Sequence, residues 1–219
     1  MVDSAHDLRE TESTRAALMA AATELFGHRG FSGARTEEIA RRAGVNKAMI
    51  SYHFGGKAGL YETILVSGLS QITERLRALV ASNHSPEHLL ATLLETLAEV
   101  HRARPALAAM MLREAMSGGE HLSSDALPHF VKVFGMVREI VDRGVRAGVY
   151  RPVDPLLTHL TVLGSVLFFF ATTPMRERLL REGRIAFRLP PTPERFIEHL
   201  EDLLARGLAV DDPRRRTEP

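Results

Sequence analysis

The 219-residue chain contains no cysteine. That absence excludes disulfide staples, cysteine-ligated zinc and thiol nucleophiles together, and it fits a reducing cytoplasm. The chain also lacks a dominant charge. Its 28 Lys and Arg nearly balance 27 Asp and Glu, for a formal net charge of +1 and a pI near 8.3. A basic coat over the whole surface is therefore excluded, and any nucleic-acid site must be a local patch. No basic end followed by an apolar run opens the chain; Asp3, Asp7, Glu10 and Glu12 stand where a secretory signal would be. The most apolar stretch, Leu160 to Ala171, is interrupted by Thr161, Gly164 and Ser165. It falls short of the ~20 residues that span a bilayer. It reads as a buried helix of a soluble, cytoplasmic protein with no membrane partner.

Catalytic signatures are missing as well. There is no glycine-rich phosphate loop, no nucleophile elbow, no HExxH and no strand of convincing alternation to carry one. These absences argue against an enzyme, and no cofactor or metal is expected. His84 and His88 are four apart, but Pro86 between them interrupts a shared helix face. Glu114, Glu120, His121 and His129 form a metal set only if the fold happens to gather them.

What is present is helical periodicity throughout. The chain is 45% hydrophobic, enough for a sizeable core. Leu18, Ala21, Ala22, Leu25 and Phe26 recur at three-four spacing, predicting a first helix over 14–27. Thr36 is placed to cap a second helix that ends at Gly44. Asn46 is placed to cap a third over 47–54, and a fourth starts near Lys57 and passes Leu69. Further helical segments span 70–82, 86–103, 105–117, 126–147, 155–172 and 193–207. Prolines sit near several starts and glycines near several ends. Residues 181–193 read as a loop. The implied division is a flexible arm over 1–13, a small helical unit over 14–66, a larger helical domain over 67–209 and a disordered tail over 210–219.

The pattern Ile39-Ala40-x-x-Ala43-Gly44-Val45-x4-Ile50 is informative. A helix-turn-helix packs two helices steeply across a very short turn. Ala40 is small where they cross, Gly44 supplies the positive φ of the turn, and Ile39, Ala43, Val45 and Ile50 face inward. The second helix is left with Lys47, Ala48, Met49, Ser51, Tyr52 and His53 for a DNA major groove. Between Arg29 and Leu60 lie six basic residues and two acidic ones, a local excess suited to phosphate. Taken alone, Tyr52 and His53 read equally well as surface residues; the pattern around them makes them DNA contacts.

The stretch AATELFGHRGFSGARTEEIARRAGVNKAMISYHFGGKAGLYETIL closely resembles the TetR/AcrR family of bacterial regulators. The resemblance rests on Leu25-Phe26, Gly30-Phe31, Ile39-Ala40, Ala43-Gly44-Val45, Tyr52-His53-Phe54 and Lys57 followed by Leu60. It implies an all-α protein with an N-terminal three-helix DNA-binding domain and a larger C-terminal helical domain for effector binding and dimerisation. It implies DNA contacts at Arg35, Thr36, Asn46, Lys47, Ala48, Met49, Ser51, Tyr52, His53 and Lys57, with Phe54 in the core. Ser51 departs from the family, which often has a second aromatic there, so one phosphate contact is weakened or remade by the hydroxyl.

The implied function is a transcription regulator, a repressor released from a palindromic double-stranded DNA operator when a small-molecule effector binds. A transcriptional activator or a ligand-carrying helical protein is the alternative. Homodimerisation is expected through apolar stripes that include Leu160, Leu163 and Leu167 on one helix and Phe196, Leu200 and Leu203 on another. Met110, Met111, Phe134 and Phe169 read first as core and second as lining for an effector pocket.

Overall fold

A computed structural model describes residues 3–186 and 191–210, with side chains from Glu10 onward. Ten helices follow in order: α1 (Asp3–Gly33), α2 (Thr36–Ala43), α3 (Ala48–Phe54), α4 (Lys57–Val80), α5 (Pro86–Ala103), α6 (Pro105–Met116), α7 (Leu127–Arg146), α8 (Pro155–Ala171), α9 (Thr173–Arg181) and α10 (Pro193–Leu208). The described residues contain no strand; their one extended pairing is an isolated bridge between Tyr150 and Ala209. No single helix among them is long and apolar enough to cross a membrane.

Local chemistry sets the boundaries. Proline occupies the first turn of every helix from α5 to α10, where a missing N–H costs nothing. The Ser85 hydroxyl accepts from the His88 N–H, the Asp154 carboxylate from Leu156 and Leu157, and the Thr192 hydroxyl from Arg195. Each cap satisfies amides that the first turn leaves unbonded.

Four sequence expectations are corrected. The first helix begins at Asp3 rather than Thr14, so the arm over 1–13 is helical for nearly its whole length; neither Gly nor Pro interrupts it. It breaks at Gly30, with φ 72° and ψ 178°. The segments before and after residue 70 are one helix, α4. Gly68 does not break it but lets α6 approach, because a Cβ there would lie 2.5 Å from Leu107 Cδ2. Thr36 is not the cap of α2: Arg35 holds that position with extended φ/ψ, and Thr36 is already helical. Finally, α9 falls where no separate helix is expected; it buries no residue, so no apolar stripe marks it. Of the expected tail over 210–219 only Val210 is described, and part of the expected loop, 187–190, also lies outside the described residues.

One continuous core runs from Leu18, Ile39 and Ile50 through Leu60, Ile64 and Leu65 of α4 to Leu93, Leu97, Leu107, Val162 and Val166. Burying each such side chain is worth about 1.5–3 kcal/mol. The expected division at residues 66 and 67 therefore falls inside a helix that serves both halves. A second bond between halves is α1 on α6: a Cβ on Gly27 would sit 2.5 Å from the Ala106 Cβ, so the two backbones approach closely there.

Candidate nucleic-acid interface

The turn between α2 and α3 closes with two hydrogen bonds. The Gly44 N–H donates to Arg41 O at 3.3 Å and the Val45 N–H to Ala40 O at 3.1 Å. This is the double closure that ends helices at a left-handed residue, and Gly44 adopts φ 70° to make it. Ile39 and Ala40 are buried on α2, and Ile50 and Phe54 on α3. Packing of these four holds the two helices in a fixed relation. The outward side of α3 has no part in that packing. Lys47, Ala48 and Ser51 are exposed, and Tyr52 is 75% exposed.

Three predicted contact residues occupy other places. The Asn46 Oδ1 accepts the Ala48 N–H at 2.8 Å, so its side chain caps α3 as expected and is engaged there. His53 is only partly exposed and its Nε2 is buried. It faces a groove shared with Arg15, Met19 and Glu62 rather than the outward side of the helix. Met49 is half-buried against the core.

The basic residues are organised by two carboxylates. Glu38 pairs with Arg29 at 2.5 Å and with Arg42 at 3.0 Å, while Glu37 pairs with Lys47. The hydrogen bond from Lys47 leads the causes that hold Glu37 below the usual carboxylate range. At Glu38 desolvation pushes upward, and Arg29 and Arg42 outweigh it to lower the group. These exposed, salt-screened pairs add little stability but leave the cations on the α2–α3 face.

Lys57 opens α4. Its Nζ lies 4.5 Å above the Phe31 ring, and partial burial lowers its pKa. The first amides of a helix point outward without intrahelical partners, so a cation beside them makes a site for phosphate. The α3–α4 junction is tight: a Cβ on Gly59 would stand 1.9 Å from the Phe54 carbonyl oxygen.

Phe31 links this site to the larger half. Its ring lies 5.2 Å from Tyr61 and 4.1 Å from His121, between α6 and α7. His121 is clasped by Glu114, which is 1% exposed: its backbone N–H donates to Oε1 at 2.9 Å and its Nδ1 lies 3.1 Å from Oε2. Burial, then Glu114, raises the Tyr61 pKa. On α6, the Arg113 guanidinium donates to the carbonyls of Phe26 (2.9 Å) and Gly27 (2.5 Å) of α1. The sequence names Phe31 only as part of the family motif and His121 only among candidate metal residues, and it does not place Arg113 against α1. No short-range pattern marks contacts made across more than 80 residues.

The candidate metal residues are partly gathered. His121 meets Glu114 and lies 3.6 Å from Glu120, but His129 is apart, 3.4 Å from Ser70 Oγ. His84 and His88 do come together despite Pro86, with ring centroids 4.5 Å apart. Among the described residues no group of three or more such side chains could hold a metal ion.

The expected dimer residues divide. Leu160 is 58% and Leu203 53% exposed, beside the equally unpartnered Leu156, Leu157 and Phe168. Leu163 and Leu167 are half-buried. Leu200 is corrected to the chain's own core, at 5% exposed, and Phe196 stacks on Phe169 with ring centroids 4.1 Å apart. The expected pocket residues divide as well. Met110 and Met111 are core residues, Phe134 is half-buried with its ring 5.4 Å from His159, and Phe169 lines an opening beside α9.

Residues 18–64 match the family model for bacterial regulatory proteins of the tetR family, and residues 86–187 the tetracyclin repressor-like C-terminal domain. The transcriptional repressor NicS of Pseudomonas putida is 27% identical over 167 residues, 74% of this chain and 77% of its own length. The regulatory protein RaaS of Mycobacterium tuberculosis is 34% identical over 140 residues, 64% of this chain and 61% of its own. A crystal structure of a tetR-family regulatory protein from Rhodococcus RHA1 superposes with a TM-score of 0.73 at 18% identity, covering 91% of this chain and 98% of that one; it shares the fold. With both halves matched and the helix-turn-helix in place, this chain belongs to the tetR family of DNA-binding transcriptional regulators.

Proposed function

We propose that this chain is a homodimeric repressor, released from a palindromic operator when a small-molecule effector binds its C-terminal half. The observation that supports this best is the outward side of α3, whose exposed Lys47, Ala48, Ser51 and Tyr52 have no part in the core. Lys47 and Ala48 are the proposed base readers, with the half-buried Met49 packed behind them. Arg35, Thr36, Ser51, Tyr52 and Lys57 are the proposed backbone contacts, with Asn46 setting the start of α3. His53 takes part only after its ring turns out of the groove behind α3.

One such head neutralises few phosphates, so two are needed for tight binding. A twofold pair reads half-sites one helical turn apart, about 34 Å. The exposed leucines of α8 and α10 are the proposed joining surface. Release requires a ligand that prefers one of two arrangements. The proposed lever is α6, which grips α1 through Arg113 and, through the His121 clasp, supports Phe31 beneath Lys57.

Selection of bound sequences from random double-stranded DNA tests the reading and gives the operator and its spacing together. Gel shifts on the selected sequence should show binding that Tyr52→Ala and Lys57→Ala each weaken. Failure to enrich any sequence at low salt, with both variants indistinguishable from the parent, would refute it.

A further inference from the structure

A cavity of about 330 Å³ opens where α6, α8, α9 and the start of α10 converge. Pro105, Phe169, Phe170, Leu180 and Pro193 give it mainly apolar walls, and Arg176 of α9 stands at its side. Two further charges reach the rim, Arg102 and Glu177, and both have partners. Arg102 lies 2.9 Å from Glu194, and Glu177 lies 4.0 Å from Arg181. Glu182, at the C-cap just past α9, pairs with Arg178.

Arg176 differs. Its guanidinium carbon lies 4.2 Å above the Phe169 ring, on which Phe196 also stacks. Its Nη1 donates to Phe169 O at 2.5 Å and Thr172 Oγ1 at 2.6 Å, and its Nη2 to Thr173 Oγ1 at 3.0 Å. All three acceptors are neutral. They fix the side chain but carry no charge; burial works against its charge, and the nearby Glu177 carboxylate, which also lies 4.0 Å from Arg181, offsets that charge only in part. Of the five N–H donors of a guanidinium, one on Nε and one on Nη2 remain, on adjacent nitrogens. Such donors match the two oxygens of a carboxylate.

We propose that this cavity binds a monocarboxylate with an apolar body, the carboxylate on Arg176 and the body against Phe170, Pro105 and Leu180. A cationic ligand would meet a fixed positive charge, and a neutral one would leave part of that charge unbalanced and the paired donors unused. A multiply charged anion would bring more charge into apolar walls than one arginine offsets. The volume equals on the order of ten waters, near the small end of ligand pockets. Phe170 also lies 5.8 Å from the ring of His101, a fully buried α5 side chain with neither ring nitrogen hydrogen-bonded. Occupancy therefore presses on the core of α5 as well as on α8. That this molecule is the effector rests on the repressor reading; that the site binds it does not.

The test is calorimetric titration of the full chain with decanoate and with 1-decanol, which share an apolar chain and differ in charge. Decanoate should bind roughly 10- to 100-fold more tightly, the range for hydrogen bonds to a charged group. Arg176→Met should erase that preference, while Arg102→Met should keep it. Should Arg176→Met fail to fold, Arg176→Lys retains the charge without the paired donors and should keep a reduced preference. Equal binding of the two probes by the parent chain, or an undiminished preference in Arg176→Met or Arg176→Lys, would overturn the site. Gel shifts on the selected operator run beside it: binding there without carboxylate preference removes this site alone, and carboxylate preference without operator binding removes the repressor reading alone.

Discussion

Replacing His101 by leucine should remove a specific share of the protein's acid sensitivity. His101 is fully buried, its two ring nitrogens have no hydrogen-bond partner, and its closest ring neighbour is Phe170. Desolvation lowers its pKa from 6.5 to about 4. The unfolded chain takes up a proton near 6.5 and the folded chain only near 4, so between those values the unfolded state holds more protons. Stability should therefore be full above 6.5 and fall as the pH drops toward 4. At about 1.36 kcal/mol per pH unit, the shift corresponds to about 3 kcal/mol lost at the bottom of that window. Leucine is close in size and cannot protonate, and it removes two unsatisfied polar atoms from the core. His101→Leu should then be at least as stable as the parent at neutral pH and should lack this loss. Urea melts of both proteins at stepped pH give the comparison, and the difference curve cancels the carboxylates common to both. A flat difference curve between pH 6.5 and 4 would refute the reasoning, because His101 would then protonate in the folded state as readily as in water.

Lys57→Ala should weaken operator binding and make its salt dependence shallower, by about 0.9 in the log–log slope for each phosphate that the lysine neutralises; an unchanged slope would remove Lys57 from the interface. Gly59→Ala should separate α3 from α4, because its Cβ would stand 1.9 Å from Phe54 O, with loss of DNA binding and faster amide exchange in α3. Gly135→Ala, in an open part of α7, should instead stabilise by roughly 0.5–1 kcal/mol in thermal melts. Leu160→Glu with Leu203→Glu should yield well-folded monomers in sedimentation equilibrium, whereas Leu200→Glu should unfold the chain, since Leu200 is 5% exposed.

The DNA-reading end was legible because its determinants are local. A positive φ at Gly44, a small residue at Ala40 and a cap at Asn46 act within a few residues of themselves, so their spacing can be read along the chain. The same holds for the proline starts of α5, α8 and α10. The absence of cysteine and the near-zero charge likewise act through composition alone. Reading was poorer where partners are remote. The apolar period of α8 and α10 marked both Leu203 and Leu200, but periodicity does not say which side meets the chain's own core. Only the packing of α10 against α5 assigns Leu200 inward and leaves Leu203 exposed. His53 looked like a DNA contact until the groove beside α1 and α4 took its ring. Arg113 reaches α1 across 87 residues, and Phe31 meets His121 across 90. Lys57 is held over Phe31 by that same arrangement. By itself, the sequence determined the helices, the turn and the basic residues of the reading head, since each depends on backbone conformation and charge at neighbouring positions. Tertiary structure alone decided which apolar side chains stay exposed, which arginine keeps two donors free at a cavity wall, and how the larger half touches the lysine at the head of α4, because those depend on which distant surfaces are brought together.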